Sequence, residues 1–328
     1  MEYEVEHLVI GAGIAGSAFG LRMLRAGKDV LLADGADRLK RNKLCGGLLG
    51  QITVNELKVL LGDSAPDDIG LIRPAAFKGI SSFGTSVSDS VFGIVERKRL
   101  DDYCFDAYVK EGGKFLDRAL LLSVGPENNT AVFLDRKTNG TIKIRYRFLT
   151  GADGALSTVR RLVSGRRQRI LLALQGTVEK KDPEIVFESL REPCGYLWYI
   201  PYGEKAVAGC LYQDLNYGKS RERLEDFCNR LGYEIPRIYG AYIPSGDDVL
   251  LRSGKNVYYI GDAAGLADGF SGGGIHYALI SAGRLSDSFV EGKDYEALMS
   301  NIVDNMYTDY EQCKEHYEEQ LKQILIPL

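Results

Sequence analysis

From Val5 to Ile10 the chain reads VEHLVI, an apolar run that ends in the glycines of GAGIAG, and the next stretch, AFGLRMLRAG, places its apolar residues at helical spacing. DVLLAD then reads as a second buried strand, so the pattern predicts a β-α-β unit within about 30 residues, the length such a unit needs. Between Phe77 and Val95, Ser, Thr, Val and Phe alternate among glycines, as in strands of a different, more antiparallel sheet. ERKRLDDYCFDAYVKEGGKF predicts an amphipathic helix closed by Gly112 and Gly113, followed by strands that end at FLTGADG. Residues 167 to 250 return to strand-like segments, RILLALQGTV, GYLWYIPY and KAVAGCLY, with one helix, SRERLEDFCNRLG. VYYIGDAAG is a buried strand and turn, and helical material from Ile275 to Leu325 closes the chain.

This order predicts an α/β protein of two interleaved domains. A Rossmann-type nucleotide-binding domain takes residues 1–75, 96–165 and 250–328, and a mainly antiparallel β-sheet substrate domain takes 76–95 and 166–249. No Pro-rich linker, low-complexity tract or internal repeat interrupts them.

Composition narrows the partners. The 328 residues are 45% hydrophobic and 26% charged, with a net charge of -4, which gives no electrostatic footprint for nucleic acid. Six cysteines (45, 104, 194, 210, 228 and 313) show neither CxxC spacing nor scaffold density, so reduced thiols in a cytoplasmic setting and no metal site are expected. The first strand follows without a basic leader, and no apolar run approaches the roughly 20 residues that span a bilayer. Neither secretion nor a membrane span is expected, while peripheral membrane contact stays open.

In GAGIAG, Gly11 permits a tight turn, Gly13 lets backbone approach a pyrophosphate, and Gly16 lets helix and strand pack closely, with Ala15 inside the same turn. Asp34, at the end of the second strand, can accept from a ribose 2′-OH and would repel a 2′-phosphate, which favours FAD or NAD over NADP. Two later stretches separate FAD from NAD. GADGALSTVR (151–160) and VYYIGDAAGLADGFSGGGIHYAL (257–279) resemble the second and third fingerprints of glutathione-reductase-type flavoproteins of the aromatic-hydroxylase and geranylgeranyl-reductase branch. KLCGG (43–47) and GYLWYIP (195–201) resemble the K-x-C-G-G segment and the Y-x-W-x-F-P cavity motif of geranylgeranyl reductases in particular. Gly269 stands where that family has a proline, and the chain is shorter than typical members.

The resemblance implies bound FAD, with NAD(P)H or another electron donor acting transiently, and hydride delivery to a carbon-carbon double bond of a small apolar, prenyl-type substrate. It implies that Asp262 bonds the ribityl chain, that Gly272, Gly273, Gly274 and Ile275 bring helix-terminal amides to the flavin edge, and that Arg97, in an R-x-x-L-D pattern, reaches the phosphates or ribityl. Leu121 falls where the family's backbone contacts adenine. Cys45, with Gly46 and Gly47, lies near the flavin, and Tyr196 and Trp198 line the cavity.

Several residues keep two readings. Cys45 is either a proton donor tuned by Lys43 or a small residue packed in a glycine turn. Asp153 either contacts cofactor or stabilises its own turn. Tyr196 and Trp198, two apart on a strand, form either a substrate wall or ordinary sheet packing, and His276 is a structural hydrogen-bonding residue or an acid-base group. Oxygen-using chemistry, as in a flavin-dependent monooxygenase or halogenase, and a non-enzymatic flavin-binding redox partner are the competing functions.

Overall fold

The computed structural model describes residues 2–308 except 75, 82–83, 191–194, 214–215 and 270. Cys194, Cys313 and the helix expected beyond residue 308 lie outside the described residues. The first half of the chain forms β1 (Glu2–Ile10), α1 (Ile14–Arg25), β2 (Val30–Asp34), β3 (Leu48–Leu49), α2 (Gln51–Leu61), α3 (Ala65–Asp68), β4 (Ala76–Ser81), β5 (Gly84–Asp89), β6 (Gly93–Ile94), α4 (Arg97–Lys110), β7 (Lys114–Asp117), β8 (Ala119–Gly125), β9 (Thr130–Asp135) and β10 (Gly140–Gly151). The second half adds α5 (Thr158–Ser164), β11 (Ile170–Glu179), β12 (Ile185–Leu190), β13 (Gly195–Tyr202), β14 (Lys205–Tyr212), α6 (Tyr217–Arg230), β15 (Ile238–Pro244), β16 (Arg252–Ser253), β17 (Val257–Tyr259) and α7 (Ile275–Glu291). Helix α7 stops at Gly292 in the left-handed region (φ 71), and helix resumes over 295–308, so the helical material expected from Ile275 onward forms two helices among the described residues.

One sheet runs β16-β17-β10-β1-β2-β7, with β1, β2, β7, β10 and β17 parallel and the β8-β9 ribbon attached antiparallel to β10. Its central strands are buried on both faces, as the apolar run at 5–10 requires, and side chains of α1, α4 and α7 and of the β8-β9 ribbon share their core. The turn after β1 is forced by close approach. Gly11 has φ 108 and backs onto the Ala152 carbonyl, and a Cβ on Gly16 would collide with the Gly11 carbonyl, so neither position accepts a side chain.

The other sheet runs β15-β11-β14-β13-β12-β4-β5 and is antiparallel except where β12 lies parallel to β4. The α/β architecture with one mainly parallel sheet and a second, mainly antiparallel sheet is as the pattern predicts. β13 reads GYLWYIPY and is buried along both faces. Leu197 and Tyr199 pack with Leu224, Phe227 and Cys228 of α6, while Tyr196, Trp198 and Ile200 join Phe77, Leu171 and Leu211 on the opposite face. Trp198 pairs with Gly209 across the ladder, and its indole lies where a Cβ on Gly209 would be.

His7 is a buried exception in the first sheet. It is 1% exposed, stacks on Phe148 at 5.2 Å, and meets Phe289 edge-on at 4.6 Å. Burial lowers its pKa to about 4, assisted by Lys28 and Arg147 and opposed by Asp29, while Glu6 lies 3.9 Å from its Nε2. The imidazole is therefore neutral in the fold and takes up a proton on unfolding. Its contribution is fully present above the ordinary histidine pKa near 6.5 and is lost as pH falls from there towards 4. Urea titrations should show wild type losing about 2 kcal/mol more stability between pH 7 and pH 5 than His7→Leu loses. Parallel losses in the two proteins would refute a neutral buried His7.

Candidate functional site

A cavity of about 420 Å³ lies between the two sheets and has two chemically distinct ends. The polar end is lined by Gly13, Ile14 and Ala15 at the start of α1, by residues 41 and 43–47, by Arg97 and Asp262, and by 271–276 leading into α7. Here two helices present their first turns to one space. Neither N-cap, Gly13 for α1 or Gly274 for α7, offers a side-chain cap, and neither first turn carries an acid. The amides at these ends have no partner within their own helices, and both helix dipoles favour negative charge in the cleft.

Charged side chains surround these amides. Arg97 Nε donates to Asp101 Oδ1 at 2.9 Å, both residues buried, and Arg41 Nη1 donates to Asp101 Oδ2 at 3.2 Å and to the Ala12 carbonyl at 3.3 Å. Burial opposes the charge on Arg97, but the Asp101 carboxylate outweighs it and raises the guanidinium pKa. Burial likewise pushes Asp101 upward, and Arg97 and Arg41 together hold it below the usual carboxylate range. Arg41 also lies 3.6 Å from Asp34, whose oxygens accept from the amides of Ala12 and Ala36 at 2.9 Å each. Its guanidinium faces Gly13 so closely that a Cβ there would stand 2.7 Å from Nη2. A cation at the positive end of a helix is held by these two carboxylates and is placed to meet an anion arriving at α1.

The turn at 45–47 is shaped by its glycines. Gly47 has φ 71 and backs onto the Val95 carbonyl, and a Cβ on Gly46 would come within 2.6 Å of Ile200 Cδ1 on β13. This brings Cys45 to the junction of the two ends of the cavity, half-buried, with Sγ accepting from the Gly47 amide at 3.4 Å and the Cys45 carbonyl facing Gln175 Nε2 at 3.5 Å. Lys43, expected to tune the thiol, instead bonds its ammonium to Asp262 Oδ2.

The second end is apolar. Phe92, Phe77, Phe187, Tyr196 and Trp198 follow one another with ring centroids 5.4 to 5.6 Å apart, and Ile200, Leu211 and Ile243 complete the wall. Tyr196 turns its hydroxyl out of this wall and donates it to the Ser271 carbonyl, and burial raises its pKa well above the usual phenol value.

The other candidate residues divide by position. Gly11, Gly16, Asp34, Leu121 and Asp153 do not line the cavity. Gly11 and Gly16 act through packing, and Leu121 is a buried side chain of β8 in the core of the first sheet. Asp153 spends both oxygens on the start of α5, accepting from Ser157 Oγ and from the amides of Thr158 and Val159 at 2.7 and 3.1 Å; burial raises its pKa against those bonds. Of its two readings, the turn-stabilising contacts are the ones present. Arg160, 2% exposed, anchors the same region through Gln168 and Asp248. His276 lines the polar end with Nδ1 buried and unpartnered among the described residues, and burial lowers its pKa. Arg41, Gln175, Phe77, Phe92 and Phe187 were not singled out by sequence. Arg41 alone carried a signal there, as a cation two residues before Lys43 in the KLCGG stretch.

These features fit FAD. Gly13, the uncapped start of α1 and Arg41 suit a pyrophosphate, Asp34 at the end of β2 suits a ribose, and the uncapped α7 with Asp262 and Arg97 suits a ribityl chain and an electron-rich ring edge.

No family model matches the chain. It is 29% identical over 294 residues to geranylgeranyl diphosphate reductase of Rhodobacter capsulatus, covering 85% of this chain and 72% of that protein. It is 30% identical over 337 residues to menaquinone reductase of Mycobacterium tuberculosis, covering 92% and 80%. The crystal structure of a geranylgeranyl bacteriochlorophyll reductase-like protein from Thermoplasma acidophilum superposes with a TM-score of 0.78 at 21% identity, over 95% of this chain and 83% of that one, a likeness of fold.

Two substitutions test this assignment of roles. Arg41→Ala should weaken FAD binding by roughly 10- to 150-fold, the loss of a charge-assisted bond worth about 1.5 to 3 kcal/mol, in a titration followed by flavin fluorescence. An unchanged dissociation constant would show that Arg41 only bridges carboxylates. Asp153→Ala should cost about 1 to 2 kcal/mol of stability in urea, as loss of a helix cap does, with FAD affinity changed far less; the reverse pattern would make Asp153 a cofactor ligand.

Proposed function

Because the chain belongs to the geranylgeranyl reductase-like family of FAD-dependent proteins, we propose that it reduces a carbon-carbon double bond of an apolar, prenyl-type substrate. The observation that carries this reading is the two-ended cavity, an aromatic-walled chamber continuous with an anion-binding cleft, with Cys45 at the junction. When bound, FAD supplies the hydride, replenished by NAD(P)H or another donor that docks transiently.

The chain's own residues divide the remaining work. The wall from Phe92 to Trp198 excludes water and accepts an uncharged chain, each buried aromatic or aliphatic contact favouring hydrocarbon over solvent by about 25 cal/mol per Å². The geranylgeranyl diphosphate reductase named above acts, by its name, on a geranylgeranyl compound, which supports the same class here. The backbone of Gly46, held against Ile200, fixes how closely the KLCGG turn meets the chamber.

Hydride addition to one alkene carbon leaves a pair of electrons at the other, which must take a proton. Cys45 Sγ–H stands at the junction and is the group proposed to give it. Proton and hydride together add H2 to the substrate, so the product gains two mass units. Lys43, paired with Asp262, organises the cleft rather than the thiol.

Anaerobic reduction of the FAD-loaded protein, followed by mass spectrometry of a panel of prenyl and conjugated enoyl compounds, should yield products two mass units heavier. Oxygen-dependent consumption of reductant with incorporation of an oxygen atom would reject the reductase in favour of a monooxygenase. Cys45→Ser should keep FAD and its reduction but slow reoxidation by the alkene about 10²- to 10⁴-fold, the usual effect of removing a general acid. Stopped-flow reoxidation within about tenfold of wild type would remove Cys45 from the chemistry and leave the rest standing.

A further inference from the structure

Asp268 and residues 271–273 are tied to one another by hydrogen bonds. Asp268 N donates to the Gly273 carbonyl at 3.0 Å, Gly272 N to the Asp268 carbonyl at 2.8 Å, and Gly273 N to Ser271 Oγ at 3.2 Å. Among the described residues, the amides of Gly274 and the first turn of α7 have no partner inside the segment or the helix, since the helix ladder begins with Ala278 N donating to the Gly274 carbonyl. Ser271 and Gly272 lie against the second sheet. Gly272 is left-handed (φ 64), and a Cβ there would stand 2.6 Å from Ile243 Cδ1 and 3.8 Å from the Tyr196 hydroxyl. Tyr196, 7% exposed, stacks on Phe187, meets Trp198 at a tilt, and donates that hydroxyl to the Ser271 carbonyl.

We infer that Tyr196 is a positioning residue: its hydroxyl fixes the glycine segment against the substrate wall and so aims the free amides of α7, which raises the reduction potential of bound FAD. The inference rests on the FAD reading of the cleft. Its physical basis is that amides and a helix dipole stabilise the additional negative charge of a reduced ring only when they are held in place beforehand. The ring of Tyr196 belongs to the chamber, but its polar atom belongs to the cleft. Removing the oxygen alone leaves the wall intact and lets the Ser271–Gly272 peptide turn.

Anaerobic dye-equilibration titrations of FAD-loaded wild type, Tyr196→Phe and Trp198→Phe test this. Tyr196→Phe should make two-electron reduction at least tenfold less favourable, a midpoint about 30 mV lower. Its FAD dissociation constant should stay within about threefold of wild type. Trp198→Phe, which changes the wall but not the tie, should keep the wild-type midpoint. Amide hydrogen exchange of flavin-free protein gives a second reading: residues 271–276 should exchange faster in Tyr196→Phe, with β13 and β14 unchanged. A Tyr196→Phe midpoint equal to wild type, an equal drop in Trp198→Phe, or unchanged exchange over 271–276 overturns the inference. A wild type that takes up no FAD sinks the functional reading and this inference together, whereas FAD bound at an unaltered potential sinks this inference alone.

Discussion

The structure depends first on helix amides that have no side-chain cap among the described residues. α1 and α7 both begin at glycines without side-chain caps, and both begin at the same cavity. Leaving such groups unmet is costly, and a capping Ser, Thr, Asp or Asn at either position would have met them locally at a gain of about 1 kcal/mol. Their presentation to one cleft is what makes an anionic, extended cofactor the natural occupant. The carboxylates of Asp34 and Asp101 follow from the same requirement, because without them Arg41 would not rest beside the positive end of α1.

β13 joins this electrostatic site to the hydrophobic one. As a central strand covered on both faces, it gives Leu197 and Tyr199 to the α6 core and Tyr196, Trp198 and Ile200 to the cavity. The α6 side fixes the strand's depth and register, so the cavity side cannot slip without exposing a second core. Gly46 and Gly47 answer that rigidity from the opposite direction by letting a backbone turn approach where a side chain would not fit. The thiol of Cys45 owes its place to the two glycines that follow it.

Much of this was legible in the sequence wherever one residue type has one local meaning. The strand-glycine-helix order of 5–25 and the period-two spacing of Tyr196 and Trp198 lead directly to observed elements and an observed shared face. Asp153 was not decidable, because an acid before a glycine suits a turn and a ligand equally; only the positions of Ser157, Thr158 and Val159 show where its oxygens go. The partner of Lys43 was illegible, since Asp262 is remote in sequence and nearness to Cys45 along the chain suggested the thiol. Phe77, Phe92 and Phe187 come from three separate strands or loops, and their common wall depends on the parallel pairing of β4 with β12, which no local pattern announces. Arg41 depends similarly on Asp101, brought to it by α4.

The interleaving also bears on how a ribosome delivers this chain. β1 emerges early, but it is flanked by β10, and β10 in turn waits for β17, while α1 waits for α7. The second sheet is synthesised largely between those events, from β11 to β15. At about 5 to 20 residues per second, the apolar edge of β10 and the face of α1 stay open for roughly 5 to 50 seconds of synthesis after they first appear. The nascent first sheet must therefore be carried unfinished, with the second sheet able to close before it, and α7 acts as the latch of biosynthesis as well as a wall of the cleft.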